Sequence, residues 1–137
     1  MDCLRSSLVV VTLFFLWSFQ IKADIDIHAI ISLLKLGNAN ATATLEYLNE
    51  GNPKNASAEN RASCLKWYRV TSINLNHSID KLKQKNIPEA AKSVDVANAF
   101  ISTCIEFQIE DATILSSYHY IKDICQKVLK QIRDNLL

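Results

Sequence analysis

Glycine and proline are nearly missing from this chain. Two glycines, Gly37 and Gly51, and two prolines, Pro53 and Pro88, serve 137 residues. Both residue types punctuate turns, so their scarcity argues against a fold of many tight turns. Neither sign of charge is in excess, with 15 Lys and Arg against 14 Asp and Glu. That balance leaves no electrostatic footprint for nucleic acid. Beyond residue 23 no apolar stretch is long enough to cross a membrane. No tandem repeat and no low-complexity segment is present. The motifs of chemistry are missing too: no glycine-rich phosphate loop, no His-Glu-x-x-His, no cysteine pair at metal spacing. His28, His77 and His119 stand far apart and near no partner pattern. Glu110 and Asp111 fall in an expected turn, where solvated, capping carboxylates are ordinary. The chain is therefore not read as an enzyme, and no cofactor, metal or catalytic residue is expected.

What is present is helical period. From Asn60 to about Lys85, Cys64, Tyr68, Thr71, Leu75, Ile79 and Leu82 recur in steps of three and four, which is one face of a helix. From Pro88 to about Phe107, Ala91, Val94, Ala97, Ile101 and Cys104 do the same. Between them lies Gln84-Lys85-Asn86-Ile87-Pro88. Proline suits the first turn of a helix, and it turns the residue before it away from helical geometry. The two helices thus form an antiparallel hairpin. Cys64 and Cys104, with 39 residues between them, fall at the same end of it, where a disulfide can staple them. Closing such a loop restricts the unfolded chain by roughly 4 kcal/mol in the chain-entropy model.

Residues 1–23 read as a secretory signal peptide. Arg5 gives the positive start, Leu8 to Phe19 is the apolar run, and Ile21-Lys22-Ala23 ends on a small residue suited to cleavage. A membrane anchor is the rival, but about a dozen apolar residues fall short of the ~20 that span a bilayer. Residues 24–137 are then one domain with 13 basic and 13 acidic residues, once Arg5, Lys22 and Asp2 are removed. Ile25 to about Leu48 reads as one helix, or as two meeting at Gly37, with Ile27, Ile30, Ile31, Leu34, Leu45 and Leu48 facing inward. The small residues after Gly37 favour close approach of a neighbouring helix. Asn49 to Glu59 is a loop. Asp111 to Thr113 is a turn, with Ser116 or Ser117 capping a last helix whose inward face is Ile121, Ile124, Cys125, Val128, Ile132 and Leu136. Four helices with short connections predict an all-α, up-down-up-down four-helix bundle stapled by one disulfide. A cytokine-like bundle would need longer crossover loops.

The pattern Cys64-x3-Tyr68, the gap of about forty residues, Ala90-Ala91, Val94, Ala97, Thr103-Cys104 and Phe107 resembles the plant invertase/pectin methylesterase inhibitor family. The resemblance covers about Ile25 to Leu137. It implies a secreted, extracellular protein of the apoplast or cell wall. Such a protein inactivates pectin methylesterase, or alternatively acid invertase, by covering the active-site cleft. The family also carries an N-terminal helical hairpin closed by its own two cysteines, and that piece is absent here. Invertase inhibitors of the family carry Pro-Lys-Phe before the third bundle helix. Here the positions read Ile87-Pro88-Glu89 or Pro88-Glu89-Ala90. A carboxylate in place of the lysine should repel an acidic sugar-hydrolase site, which tilts the reading toward pectin methylesterase. A third reading is a divergent secreted binding protein that inhibits nothing.

The partner surface expected from exposure is Arg69, Asn76 and Lys83 on the Cys64 helix, Ile87, Pro88 and Glu89 at the turn, and Lys92 and Asp95 beyond it. Each also fits a plain solvated face. Asn40-Ala41-Thr42, Asn55-Ala56-Ser57 and Asn76-His77-Ser78 match the N-glycosylation acceptor pattern, with Asn55 in a loop and Asn40 and Asn76 on helices. Cys125 is left over from the staple. It reads as a small packed hydrophobe, or as a thiol that pairs between chains into a covalent dimer.

Overall fold

The computed structural model describes residues 2–106 and 109–137, with the side chains of residues 7–24, 26–106 and 109–137. Among them every regular element is a helix. The helices are α1 (Asp2–Asn49), α2 (Ala58–Lys83), α3 (Ile87–Ile101), the single turn α4 (Thr103–Glu106) and α5 (Ala112–Asn135). The long helices α1, α2, α3 and α5 run alternately up and down. Each packs on its two neighbours in the order α1, α2, α3, α5 and back to α1. This is the predicted four-helix bundle, and Cys64 and Cys104 are bonded in it.

The inward faces fall where the period put them. Ile30, Leu34, Tyr68, Leu75, Leu82, Val94, Ile101, Ile121, Val128 and Ile132 are buried to 1% exposure or less. Apolar side chains at this spacing have one way to leave water together, which is to turn their stripes toward a common axis.

The termini of the helices differ from expectation in three places. First, α1 begins at Asp2 rather than Ile25 and runs unbroken through Gly37. A Cβ at Gly37 would lie 3.4 Å from Ile124 Cγ2 and 3.7 Å from Leu75 Cδ1. These are ordinary contact distances, so α5 and α2 lie close to α1 at Gly37 without requiring a glycine there. Second, α5 is capped by Asp111, not by Ser116 or Ser117: the Asp111 carboxylate accepts from the Ile114 N–H at 3.0 Å. A carboxylate at the positive pole of a helix outdoes a hydroxyl one turn later. Third, α3 stops at Ile101. The Ser102 hydroxyl donates to the Ala99 carbonyl at 2.9 Å, one of the local bonds through which serine competes with a helix. Phe107, placed at the far end of that helix from sequence, lies outside the described residues.

Burial starts at Ile27. The part of α1 before it spans roughly 33 Å from Asp2 to Ala23 at the rise of an α-helix. Its Leu8, Phe14, Trp17 and Phe19 are each about two-thirds exposed. Among the described residues α1 is the one helix long and apolar enough to cross a membrane, a test that signal sequences near an N-terminus also pass.

Candidate partner-binding surface

The helices α2 and α3 are tied to each other at several points along their seam. At one end Cys64 is joined to Cys104, with their Cα atoms 4.8 Å apart. Toward the connecting turn, the buried Ser78 hydroxyl donates across the seam to the Ala90 carbonyl at 3.0 Å. On the outer side of the same seam the Trp67 and Phe100 rings stack, with centroids 4.8 Å apart and planes 13° from parallel. The Lys66 ammonium stands 5.0 Å from the Trp67 ring centre, within cation–π reach.

The turn between the two helices is set by backbone bonds. The Asn86 N–H reaches the Lys81 carbonyl at 2.9 Å and the Lys85 N–H reaches that of Leu82 at 3.0 Å. This is the pair of bonds that closes a helix around one left-handed residue. That residue is Lys85, at φ 59°. Asn86 then caps α3, accepting from the Glu89 N–H at 3.5 Å, with Pro88 in the first turn where its missing N–H costs nothing.

The structure divides the expected partner residues into two groups and a bridge. Arg69, Asn76 and Lys83 are seven residues apart, so they share one stripe of α2. The stripe borders α1, because the Asn38 amide donates to Asn76 Oδ1 at 3.1 Å. Lys92 and Asp95 are exposed on α3. The Asp95 charge helps raise the buried Cys125 thiol of α5. Ile87, Pro88 and Glu89 lie between the groups at the turn. The outer α2–α3 seam, with Trp67 and Phe100, separates the two stripes along the helices. Lys85, beside the turn, pairs with Asp24 of α1 at 3.4 Å.

Sequence reasoning missed the polar clasp that joins α1 to α5. Ser117, buried on α5, donates to Asn40 Oδ1 at 2.6 Å. The buried Thr44 hydroxyl is 2.9 Å from Ser117 Oγ and 3.0 Å from the Asn40 carbonyl. One turn on, the Tyr47 hydroxyl donates to Asp111 Oδ2 at 2.8 Å, which ties the end of α1 to the cap of α5. That bond to a carboxylate raises the Tyr47 pKa above its ordinary value. On the other flank of α1, the Ser72 hydroxyl donates to Asn38 Oδ1 at 2.7 Å. A groove of about 540 Å³ runs above the clasp, lined among others by Asn40, Tyr47, Thr113 and Ser116. The signal for the clasp was present: Thr44 continues the inward stripe Leu34, Gly37, Ala41, and Ser117 continues Ile114, Ile121.

Two further groups sit deep. Burial pushes the Tyr68 phenol up to about 12, with Ser117 pulling it partly back. Burial, with the Asp95 charge, pushes the Cys125 thiol up to about 12. Cys125 is a free, buried thiol, which fits the packed-hydrophobe reading; a bridge between chains would first require opening the core. Among the described residues no three His, Cys, Asp or Glu side chains gather in a metal-holding group. Asp26 Oδ2 and Asn98 Oδ1 are buried without a hydrogen-bond partner.

This arrangement is a scaffold with a stiff outer face. The fold is shared with a pectin methylesterase inhibitor from Arabidopsis thaliana, whose crystal structure superposes with a TM-score of 0.74. The identity is 18%, and the match covers 82% of this chain and 79% of that one. No protein-family model matches the sequence. No curated protein matches it either.

Proposed function

We propose that this chain is a divergent member of the invertase/pectin methylesterase inhibitor family: a secreted protein that inactivates a cell-wall carbohydrate-active enzyme by binding it one to one. Pectin methylesterase is the favoured target. The observation that carries the reading is the shared bundle, matched over four-fifths of both chains with an inhibitor of that enzyme. The disulfide supports an oxidising, extracellular destination. The exposed apolar helix before Ile27 supports removal of residues 1–23 as a signal peptide.

Inhibition of this kind needs no chemistry from the inhibitor. A rigid face that excludes substrate from a cleft is enough, and rigidity lowers the entropy lost on binding. The face we assign is the outer side of the α2–α3 hairpin toward its turn, with Ile87, Pro88 and Glu89 at the tip. Arg69, Asn76 and Lys83 would flank it on the α1 side, and Lys92 and Asp95 on the α5 side. Glu89 at the tip disfavours an acidic sugar-hydrolase cleft, which places acid invertase second.

The test is a titration of the secreted protein against pectin methylesterase and acid invertase, side by side at mildly acidic pH. The expected outcome is stoichiometric loss of esterase activity with invertase untouched. Loss of invertase activity alone would move the target. No effect on either enzyme, from a helical and monodisperse preparation, would overturn inhibition and leave a secreted binding protein.

A further inference from the structure

Three asparagines carry the acceptor pattern for N-linked sugar, and the fold treats them very differently. Asn40 lies on α1 and Asn76 on α2. In a helix, residues i and i+2 point to opposite sides. Thr42 accordingly turns away from Asn40 and donates to the Asn38 carbonyl at 2.9 Å. Ser78 turns away from Asn76 into the core, where it holds Ala90. The asparagines themselves are engaged: Asn40 Oδ1 accepts from Ser117 on α5, and Asn76 Oδ1 accepts from Asn38 on α1. Asn55 is otherwise placed. It is exposed in the connection between α1 and α2, and Ser57 is exposed two residues on, in extended geometry at φ −64° and ψ 154°. An acceptor asparagine belongs in such a surface loop.

We infer that Asn55 is the single carbohydrate attachment site of this protein, and that its glycan covers the disulfide end of the bundle while the α2–α3 turn stays bare. The inference rests on the secretory reading above. The transfer joins Asn55 Nδ2 to the anomeric carbon of an oligosaccharide carried on a lipid diphosphate. The sugar–phosphate bond breaks, the carrier diphosphate leaves, and the amide gives up one proton. The first sugar has room beside the chain. Asn55, Ser57, Asn60, Ile109 and Glu110 line a shallow hollow of about 240 Å³. From there to Ile87 is about the length of α2, whose 26 residues rise roughly 39 Å. A glycan at Asn55 therefore shields the end carrying Cys64 and Cys104 and leaves the tip of α3 open to a partner.

The experiment is glycopeptide mapping and intact mass on the full chain expressed through the secretory pathway of a eukaryotic host, alongside N40Q, N55Q and N76Q. The expected wild-type product carries one glycan, at Asn55. N55Q loses it entirely. N40Q and N76Q keep it and melt at lower temperature, because each breaks a bond between helices. Sugar found on Asn40 or Asn76 of the wild-type chain overturns the inference, as does secretion of an unmodified chain. A chain that stays in the cell with residues 1–23 attached instead overturns the secretory reading, and this proposal with it. Enzymatic removal of the glycan is expected to leave the inhibitory titre unchanged, and a change in titre overturns the placement of the sugar away from the partner face.

Discussion

The two seams on either side of the bundle are held by different means. The α2–α3 seam has a covalent staple at one end, a hydrogen-bonded turn at the other, and one buried hydroxyl between. Among the described side chains, the seams of α1 have no cross-link. They rely on buried apolar residues such as Ile30 and Leu34 and on side-chain bonds from Asn38, Asn40, Thr44 and Tyr47 to α2 and α5. The difference teaches where rigidity is concentrated. The disulfide keeps one end of α2 beside the end of α3 even in the unfolded chain, whereas the described contacts that hold α1 are all noncovalent.

The sharpest way to break this contrast is to remove the staple. Replacing both Cys64 and Cys104 by serine should lower stability by about 4 kcal/mol, through the freedom returned to a loop of this length. Thermal unfolding should then fall by about 4–8 °C per kcal/mol for a domain near this size. A drop of less than about 1 kcal/mol would mean that α2 and α3 hold each other without the bond, and the contrast between the seams would collapse.

The next largest effect lies on α1. Ser117→Ala leaves Asn40 Oδ1 and the Thr44 hydroxyl short of a partner in a buried seam, which costs about 1–3 kcal/mol. Thr44→Val costs a similar amount. The two share one network, so the double variant should lose less than the sum, and a denaturant series on all four proteins measures the coupling. Additive losses would show that the hydroxyls act separately and that no clasp joins α1 to α5.

How much of this was legible in the chain depends on which physical signal carried it. The stapled hairpin was legible because its signals are local: apolar residues at a helical period, Pro88 in a first turn, and two cysteines that the hairpin brings to one end. The ties of α1 were not read, although Thr44 and Ser117 stand at inward positions of their stripes. A hydroxyl at such a position announces that it needs a partner, but nothing nearby in sequence says which helix supplies it. The partner of Thr44 is 73 residues away. The cap of α5 was misplaced for a related reason. Asp111, Ser116 and Ser117 are all competent caps by type, and the carboxylate at the start of the helix takes the role, with Tyr47 of α1 bonded to its other oxygen. The partner residues were legible only as exposed positions. The α1 flank appears once Asn76 is seen to meet Asn38.

Alkaline pH probes the core that both seams share. Tyr68 on α2 and Cys125 on α5 each hold their proton to about pH 12 in the folded state. Their ordinary values are 10.0 and 9.0. Above those values the unfolded chain binds fewer protons than the folded one, so stability falls as pH rises. Between pH 8 and 9.5 the loss should be about 1 kcal/mol, mostly from Cys125. Denaturant midpoints across that range measure it, and Cys125→Ala should flatten the slope even though the substitution carries its own packing cost. The same burial predicts that a thiol reagent at pH 8 leaves Cys125 unmodified until the chain unfolds. Labelling of the native protein would show that the α3–α5 side opens, and would restore the reading of Cys125 as a link between chains.

The smallest expected effects set one backbone position on each seam against the other. Lys85 is a non-glycine residue in the left-handed region, a conformation that costs a side-chain-bearing residue about 1–2 kcal/mol. The equivalent position after α1 is Gly51, at φ 83°, with the matching bonds from Gly51 N–H to the Leu48 carbonyl and from Asn52 N–H to that of Tyr47. Lys85→Gly should therefore gain about 0.5–1 kcal/mol, after the exposed pairing with Asp24 and the greater freedom of glycine in the unfolded chain are set against it. Gly37→Ala is the counterpart on α1. Its new methyl meets Ile124 at ordinary contact distance, and alanine gains up to about 1 kcal/mol of helix propensity over glycine. Both variants should raise the unfolding midpoint slightly. If Gly37→Ala instead lowers it, α5 lies closer to α1 than a methyl allows, and the seam without a cross-link is the more tightly packed of the two.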